Sequence, residues 1–247
     1  MDQPIYLFII FGFIAQIIDG ALGMGFGVSS TTLLMSFGVP PAAASAAVHA
    51  TEVFTTAASG ISHFKIGNVK TDMLKKLVVP GVLGAAVGAY LLSNLPGGKI
   101  KPFIAVYLAV MGLVILWKAA RKAPPAESRT PLIPLGLAGG FLDAIGGGGW
   151  GPIVTSTLVA RGGHPRFTVG SVNLAEFFVA FSASVAFLLS LGFVQYWKII
   201  AGLGIGGVLA APLAAIVCKK LPVRTLMVMV GLLILILSLR TMVLSLG

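Results

Sequence analysis

The sequence predicts an all-α, polytopic membrane protein built from two inverted repeats, each a glycine-broken, re-entrant helical segment followed by three transmembrane helices. Three observations lead there. Apolar residues make up 57% of the 247 positions and charged residues 10%, too few polar groups to cover a water-soluble globule. Continuous apolar runs of roughly 20 residues recur, the length needed to cross about 30 Å of hydrocarbon as helix, and they do not alternate as barrel strands would. The third observation is a duplication: Asp19, Gly23, Gly25 and Gly27 meet Asp143, Gly147, Gly149 and Gly151 at a shift of 124.

The duplication extends past the glycines. Thr31 pairs with Thr155, Pro41 with Pro165, Val48 with Val172, Glu52 with Glu176 and Phe54 with Phe178 at the same shift. Two single-residue slips raise the shift to 126, where Gly81-Val82-Leu83 meets Gly207-Val208-Leu209. We therefore divide the chain into a first transmembrane repeat over 1–120, a polar linker over 121–131 and a second repeat over 132–247.

Taken in order, residues 5–37 are apolar but interrupted at Asp19 to Gly27, leaving arms of about 14 and 11 residues, roughly 21 and 16 Å as helix, so neither arm crosses alone. The first 30 residues hold no Lys or Arg and no small-residue cleavage pattern, and are expected to belong to the mature protein. Pro40 and Pro41 suit the first turn of a helix reaching about Phe64, with Ser45, His49, Glu52, Thr56, Ser59 and His63 as one polar stripe. His63, next to Lys65, is expected at the interface. A basic loop leads to a span over 74–95, Lys99 and Lys101 mark a turn, and another span covers 102–118. Lys118, Arg121, Lys122 and Arg129 surround the linker. The second copy repeats the pattern, with a broken segment over 132–160 and spans over 167–190, 198–218 and 223–245. Trp117, Tyr196 and Trp197 fall at span ends, where interfacial aromatics belong. Gly202, Gly204, Gly206 and Gly207 read as helix packing.

Charge fixes orientation. The net charge of +10 comes from residues between apolar runs, which argues for membrane topology and against a nucleic-acid partner. Two full crossings would divide the 17 Lys and Arg as 10 against 7. Dipping segments place Lys65, Lys70, Lys75, Lys76, Lys118, Arg121, Lys122, Arg129, Arg161, Arg166, Lys219, Lys220 and Arg224 on one side, 13 against 4, the sharper bias. Three spans per copy is odd, so the copies lie upside down relative to one another, as in many secondary transporters. The single Cys218 excludes an internal disulfide.

Of seven acidic residues, Asp19, Glu52, Asp143 and Glu176 lie in apolar segments. Each would cost roughly 2.5–3.5 kcal/mol facing lipid at the bilayer centre, so they are expected to face the interior. For Asp19 and Asp143 two roles stand level: capping the second arm through backbone amides, or direct action on a solute. Glu52 and Glu176 sit mid-span, where no cap is required, and read as functional. The glycine breaks offer backbone N–H groups and half-helix N-termini to an anion. His49 and Glu52 have the spacing of a metal pair, but Asn173 stands where the second copy would need its histidine, so no metal and no cofactor are expected. No catalytic motif is present.

Two copies, each opening with a glycine break, and His63, Gly67, Asn68 and Val69 closing the second span together make the chain resemble the TauE/SafE sulfite exporter family of transporters. The resemblance covers essentially the whole chain. It implies transport of sulfite, sulfoacetate or related organosulfonates across the cytoplasmic membrane, with Gly23 to Gly27 and Gly147 to Gly151 as the substrate region. The expected site is Asp19, Gly23, Gly25, Gly27, Thr31, His49, Glu52, Asp143, Gly147, Gly149, Gly151, Thr155, Asn173 and Glu176, with proton linkage through Glu52 and Glu176. The alternatives are a cation or metal carrier using the same carboxylates, or a non-transporting membrane assembly protein. Partners are a small anionic solute and lipid; whether two chains form a homodimer is open.

Overall fold

The computed structural model describes residues 4–120, 130–191, 196–217 and 223–246. These residues form helices with no strand among them. The first copy contains α1 (Ile5–Leu22), α2 (Phe26–Ser36), α3 (Pro41–Lys65), α4 (Thr71–Ser93) and α5 (Gly97–Ala120). The second contains α6 (Leu132–Gly146), a π turn (Gly151–Thr155), α7 (Ser156–Ala160), α8 (Pro165–Leu191), α9 (Trp197–Val217) and α10 (Val223–Leu246). Most of the linker and Cys218 lie outside the described residues.

Among the described residues six helices are long and apolar enough to cross a membrane. The 25-residue α3 is not one of them, because its polar stripe lowers its mean hydropathy. That stripe is buried: Ser45, His49, Glu52, Thr56, Ser59 and His63 are each at most 1% exposed. The outside carries the large apolar side chains, such as Phe103, Leu189 and Val243, as a lipid-facing surface requires.

Two boundaries differ from expectation. The 18-residue α1 continues through Asp19 and stops only where Gly23 takes the left-handed conformation, so this arm is long enough to span by itself. The helix α5 begins at Gly97, taking in Lys99 and Lys101, and runs through Pro102, whose missing N–H leaves the Gly98 carbonyl without its helical donor.

The copies exchange their broken segments. The first arm α1 runs parallel to α9, with Gly12 against Leu203 and Gly20 against Ala214, while α6 runs parallel to α4, with Gly136 against Leu77 and Gly88 against Ala144. At Gly206 and Gly84 an added Cβ would strike the backbone of the facing helix, so these seams exist because the residues are small. Gly202 and Gly207 also face neighbours, but Gly204 faces open space, contrary to its reading as a packing residue.

The central pair, α3 and α8, is antiparallel: Asn68 lies by Gly170, Ser59 by Asn173 and His49 by Phe187. The pair α5 and α10 is antiparallel as well, with Gly112 near Leu235 and Leu116 near Gly231. Gly20 reaches Ser59 late in α3, whereas α2 passes Glu52 and finishes just before Pro41. The first broken segment thus starts and finishes at the end of the bundle where α3 begins. The second returns to the other end, where Arg166 meets Ile66 and Asn68.

Candidate functional site

Each break is a short stretch with two glycines at positive φ. Gly23 (66°) ends α1 and Gly147 (69°) ends α6, each N-terminal helix closing in a left-handed cap. Gly25 (125°) and Gly148 (148°) then turn the chain, so Gly148, absent from the expected site, does the work anticipated for Gly149. Gly27, Gly149 and Gly151 have no such φ. They are small because something passes close: a Cβ on Gly27 would lie 2.8 Å from Glu52 Oε1 and from the Cα of Gly148, and one on Gly151 would meet Met24.

The two breaks therefore pack on one another at the bundle centre. The Thr31 hydroxyl donates to the carbonyl of Gly147, and Thr155 lies against Gly23. Asp19 and Asp143 are buried, and each accepts from backbone amides at the start of the second arm. The Phe26 N–H donates to Asp19 Oδ1 at 3.3 Å, and the amides of Gly149 and Trp150 donate to Asp143 Oδ1 at 2.7 and 2.9 Å. Those backbone donors are consequently occupied by the protein's own carboxylates.

The second carboxylate is tied further. His49 Nδ1 donates to the Ser45 carbonyl at 2.8 Å, which turns Nε2 to Asp143 Oδ2 at 3.1 Å. Ser45 Oγ donates to the Ala144 carbonyl at 2.7 Å. The repeat partner of His49, Asn173, faces elsewhere: Ser59 Oγ donates to its Oδ1 at 2.9 Å and its Nδ2 donates to the Val169 carbonyl at 3.2 Å. Asp19 Oδ2 is left without a hydrogen bond. So are Glu52 Oε2, Glu176 Oε2, Thr155 Oγ1, Thr55 Oγ1, Ser30 Oγ and both polar atoms of Gln16, all buried. Donor atoms of His49, Glu52 and Asp143 lie within 4.8 Å of one another.

The family profile of the sulfite exporter TauE/SafE matches residues 8–241. The chain belongs to the TauE/SafE sulfite exporter family. It is 45% identical over 250 residues to the Bacillus subtilis (strain 168) "Probable membrane transporter protein YtnM", covering 98% of this chain and 83% of that one. It is also 29% identical over 198 residues to "Probable membrane transporter protein YdhB" of the same organism, covering 76% of this chain and 77% of the relative. No solved structure matches. As a family member with six helices able to cross a bilayer, the chain is a multi-pass membrane transporter of the cell membrane.

In this TauE/SafE chain several residues at the junction escaped sequence reasoning. His63 is buried rather than interfacial: its Nε2 donates to the Gly20 carbonyl at 3.1 Å, and its Nδ1 accepts from Asn68 Nδ2 at 3.1 Å. Tyr107 donates to the Gly148 carbonyl at 3.2 Å, a bond that residue 152 cannot supply because it is proline. That proline, visible in the sequence, was the available signal. A largely apolar cavity of about 510 Å³ lies between α3, α8 and α9, against Val53, Phe54, Phe181, Ser184 and Trp197.

Proposed function

We propose that this chain is a secondary transporter of small sulfur-containing anions, such as sulfite, sulfoacetate or related organosulfonates. The solute binds near the bilayer midplane where the glycine breaks meet, and its binding is linked to protons on Glu52 and Glu176. We also infer that the copies are related by inverted topology, which the antiparallel α3–α8 pair and the opposite origins of the broken segments support. The same arrangement puts the loops with Lys65, Lys70, Arg161 and Arg166 at one end, in keeping with a cytoplasmic basic face.

One observation carries the anion reading. The Thr155 and Thr55 hydroxyls and the Gln16 amide are buried donors without an acceptor, in a core where buried polar groups are nearly always satisfied. A sulfur oxyanion presents acceptor oxygens. Ionised Glu52 and Glu176 would repel it, whereas their protonated carboxyls would add donors. Outward movement of one negative charge gains about 2.3 kcal/mol per 100 mV with the cytoplasm negative, so export requires no proton, but uptake does.

A second reading, cation carriage, is favoured by the proximity of donor atoms on His49, Glu52 and Asp143. Proteoliposomes separate the two. Proton-dependent movement of radiolabelled sulfite or sulfoacetate, lost in Glu52→Gln and Glu176→Gln, is expected. Proton-dependent accumulation surviving in both variants overturns the coupling. Movement of Na⁺ or a divalent ion without any sulfur anion overturns the substrate class.

A further inference from the structure

Lys118 lies near the end of α5, where an interfacial lysine ordinarily extends outward to headgroups. It does the opposite. Its ammonium is half-buried and turned inward, donating to the Pro152 carbonyl at 3.3 Å and to the Ser156 hydroxyl. No carboxylate pairs with it among the described residues. A partly desolvated cation held only by neutral groups retains most of its attraction for an anion.

The local backbone explains how this arose. In the π turn the Ser156 N–H reaches back to the Gly151 carbonyl, leaving the Pro152 carbonyl to the Ser156 hydroxyl and Lys118. The residue before Ser156 is Thr155, fully buried, with a hydroxyl that has no partner and lies against Gly23 at the break. The Ser156 hydroxyl gives its own proton to the Pro152 carbonyl and accepts from the ammonium, so the donors left for a solute along the return arm are the ammonium and, further in, the Thr155 hydroxyl. The first copy has nothing equivalent. Its Thr31, the counterpart of Thr155, is committed to Gly147, and Leu244 stands where repeat symmetry would place the lysine.

We propose that Lys118 Nζ captures a small sulfur oxyanion on the return arm of the second copy, at the end carrying the basic loops, and passes it inward to the unpaired Thr155 hydroxyl. The inference rests on the anion reading above and locates that reading's first binding step. The ammonium meets the anion where the arm opens toward Arg161, and Thr155 receives it next to Gly23. Carbonyl and hydroxyl contacts of Lys118 exchange for solute oxygens, with no covalent step.

The test is equilibrium binding of radiolabelled sulfite and sulfoacetate to the purified full chain in detergent. Lys118→Gln is expected to weaken binding at least tenfold and Lys118→Arg to restore it to within a few-fold. In proteoliposomes, Lys118→Gln raises KM from the basic face with little change in kcat. Thr155→Val removes a hydroxyl that supports nothing in the fold, so it remains informative if Lys118→Gln fails to assemble; it is expected to weaken binding several-fold. Wild-type binding that both Lys118→Gln and Thr155→Val retain overturns the capture site alone. Absence of wild-type binding to either anion overturns the substrate reading and the capture site together.

Discussion

The contact between the breaks offers a direct handle on opening. In Gly27→Ala the new methyl would lie 2.8 Å from Glu52 Oε1 and 2.8 Å from the Gly148 Cα. The glutamate tip can swing aside. The Gly148 backbone cannot, because its φ of 148° and the neighbouring left-handed Gly147 fix the turn. Overpacking of this kind costs about 1–3 kcal/mol, charged only to the arrangement in which the breaks touch. At about 1.4 kcal/mol per tenfold, the closed population falls roughly 5- to 150-fold relative to open ones. Ser30 is a suitable reporter, fully buried with a hydroxyl that makes no hydrogen bond. In a Cys218→Ser, Ser30→Cys background, the Gly27→Ala chain should label faster with a water-soluble maleimide. Gly98→Ala, where an added methyl meets nothing, should leave the rate unchanged. Unaltered labelling of a folded Gly27→Ala chain would refute the idea that the Gly27–Gly148 contact holds the junction shut.

Two further substitutions probe how the breaks are held. Asp143→Ala strands the amides of Gly149 and Trp150, whereas Asp19→Ala strands only that of Phe26 across a longer bond. At about 1–3 kcal/mol per buried unsatisfied donor, Asp143→Ala should lower the midpoint of thermal unfolding, followed by size-exclusion fluorescence, clearly more than Asp19→Ala; equal losses would contradict the cap assignment. Tyr107→Phe removes the donor to the Gly148 carbonyl and should destabilise by about 0.5–1.5 kcal/mol in the same assay, while Tyr90→Phe, on the exposed surface, should not.

Much of the architecture was legible because lipid imposes few solutions. Apolar runs, the glycine breaks and the shift of 124 between copies each follow from one-dimensional pattern, and so did the inward orientation of Asp19, Glu52, Asp143 and Glu176. The errors came from contacts distant in sequence. His63 looked interfacial beside Lys65, yet the Gly20 carbonyl, 43 positions earlier, gives its ring a buried acceptor. Lys118 counted as an orientation signal because nothing in its neighbourhood reveals that Pro152 and Ser156 lie within its reach. The helix α1 ran past Asp19 because aspartate does not end a helix, whereas Gly23 in the left-handed region does.

Duplication with unequal repair explains why the halves of the junction are held differently. The second break is gripped by α3 and α5 of the first copy at four points: Ser45 on the Ala144 carbonyl, His49 on Asp143, Tyr107 on the Gly148 carbonyl and Lys118 on Pro152. The first break answers with the Thr31 hydroxyl on Gly147 and with His63, from its own copy, on the Gly20 carbonyl. Replacing the histidine position by Asn173, turned to Ser59, removes the tie that would otherwise reach Asp19. Opening energies are local and follow the number of buried bonds that must be exchanged. Withdrawing α2 from the junction gives up the Thr31 bond, the Gly27–Gly148 packing and the Arg240 bond to the Ser36 carbonyl, whereas withdrawing the second arm gives up bonds to both α3 and α5. Symmetry of sequence therefore does not carry over to symmetry of bonding: the first arm is held by Gly147 of the other copy and by Arg240 of α10, whereas the second is held by α3 and α5 and keeps an unpaired Thr155 hydroxyl.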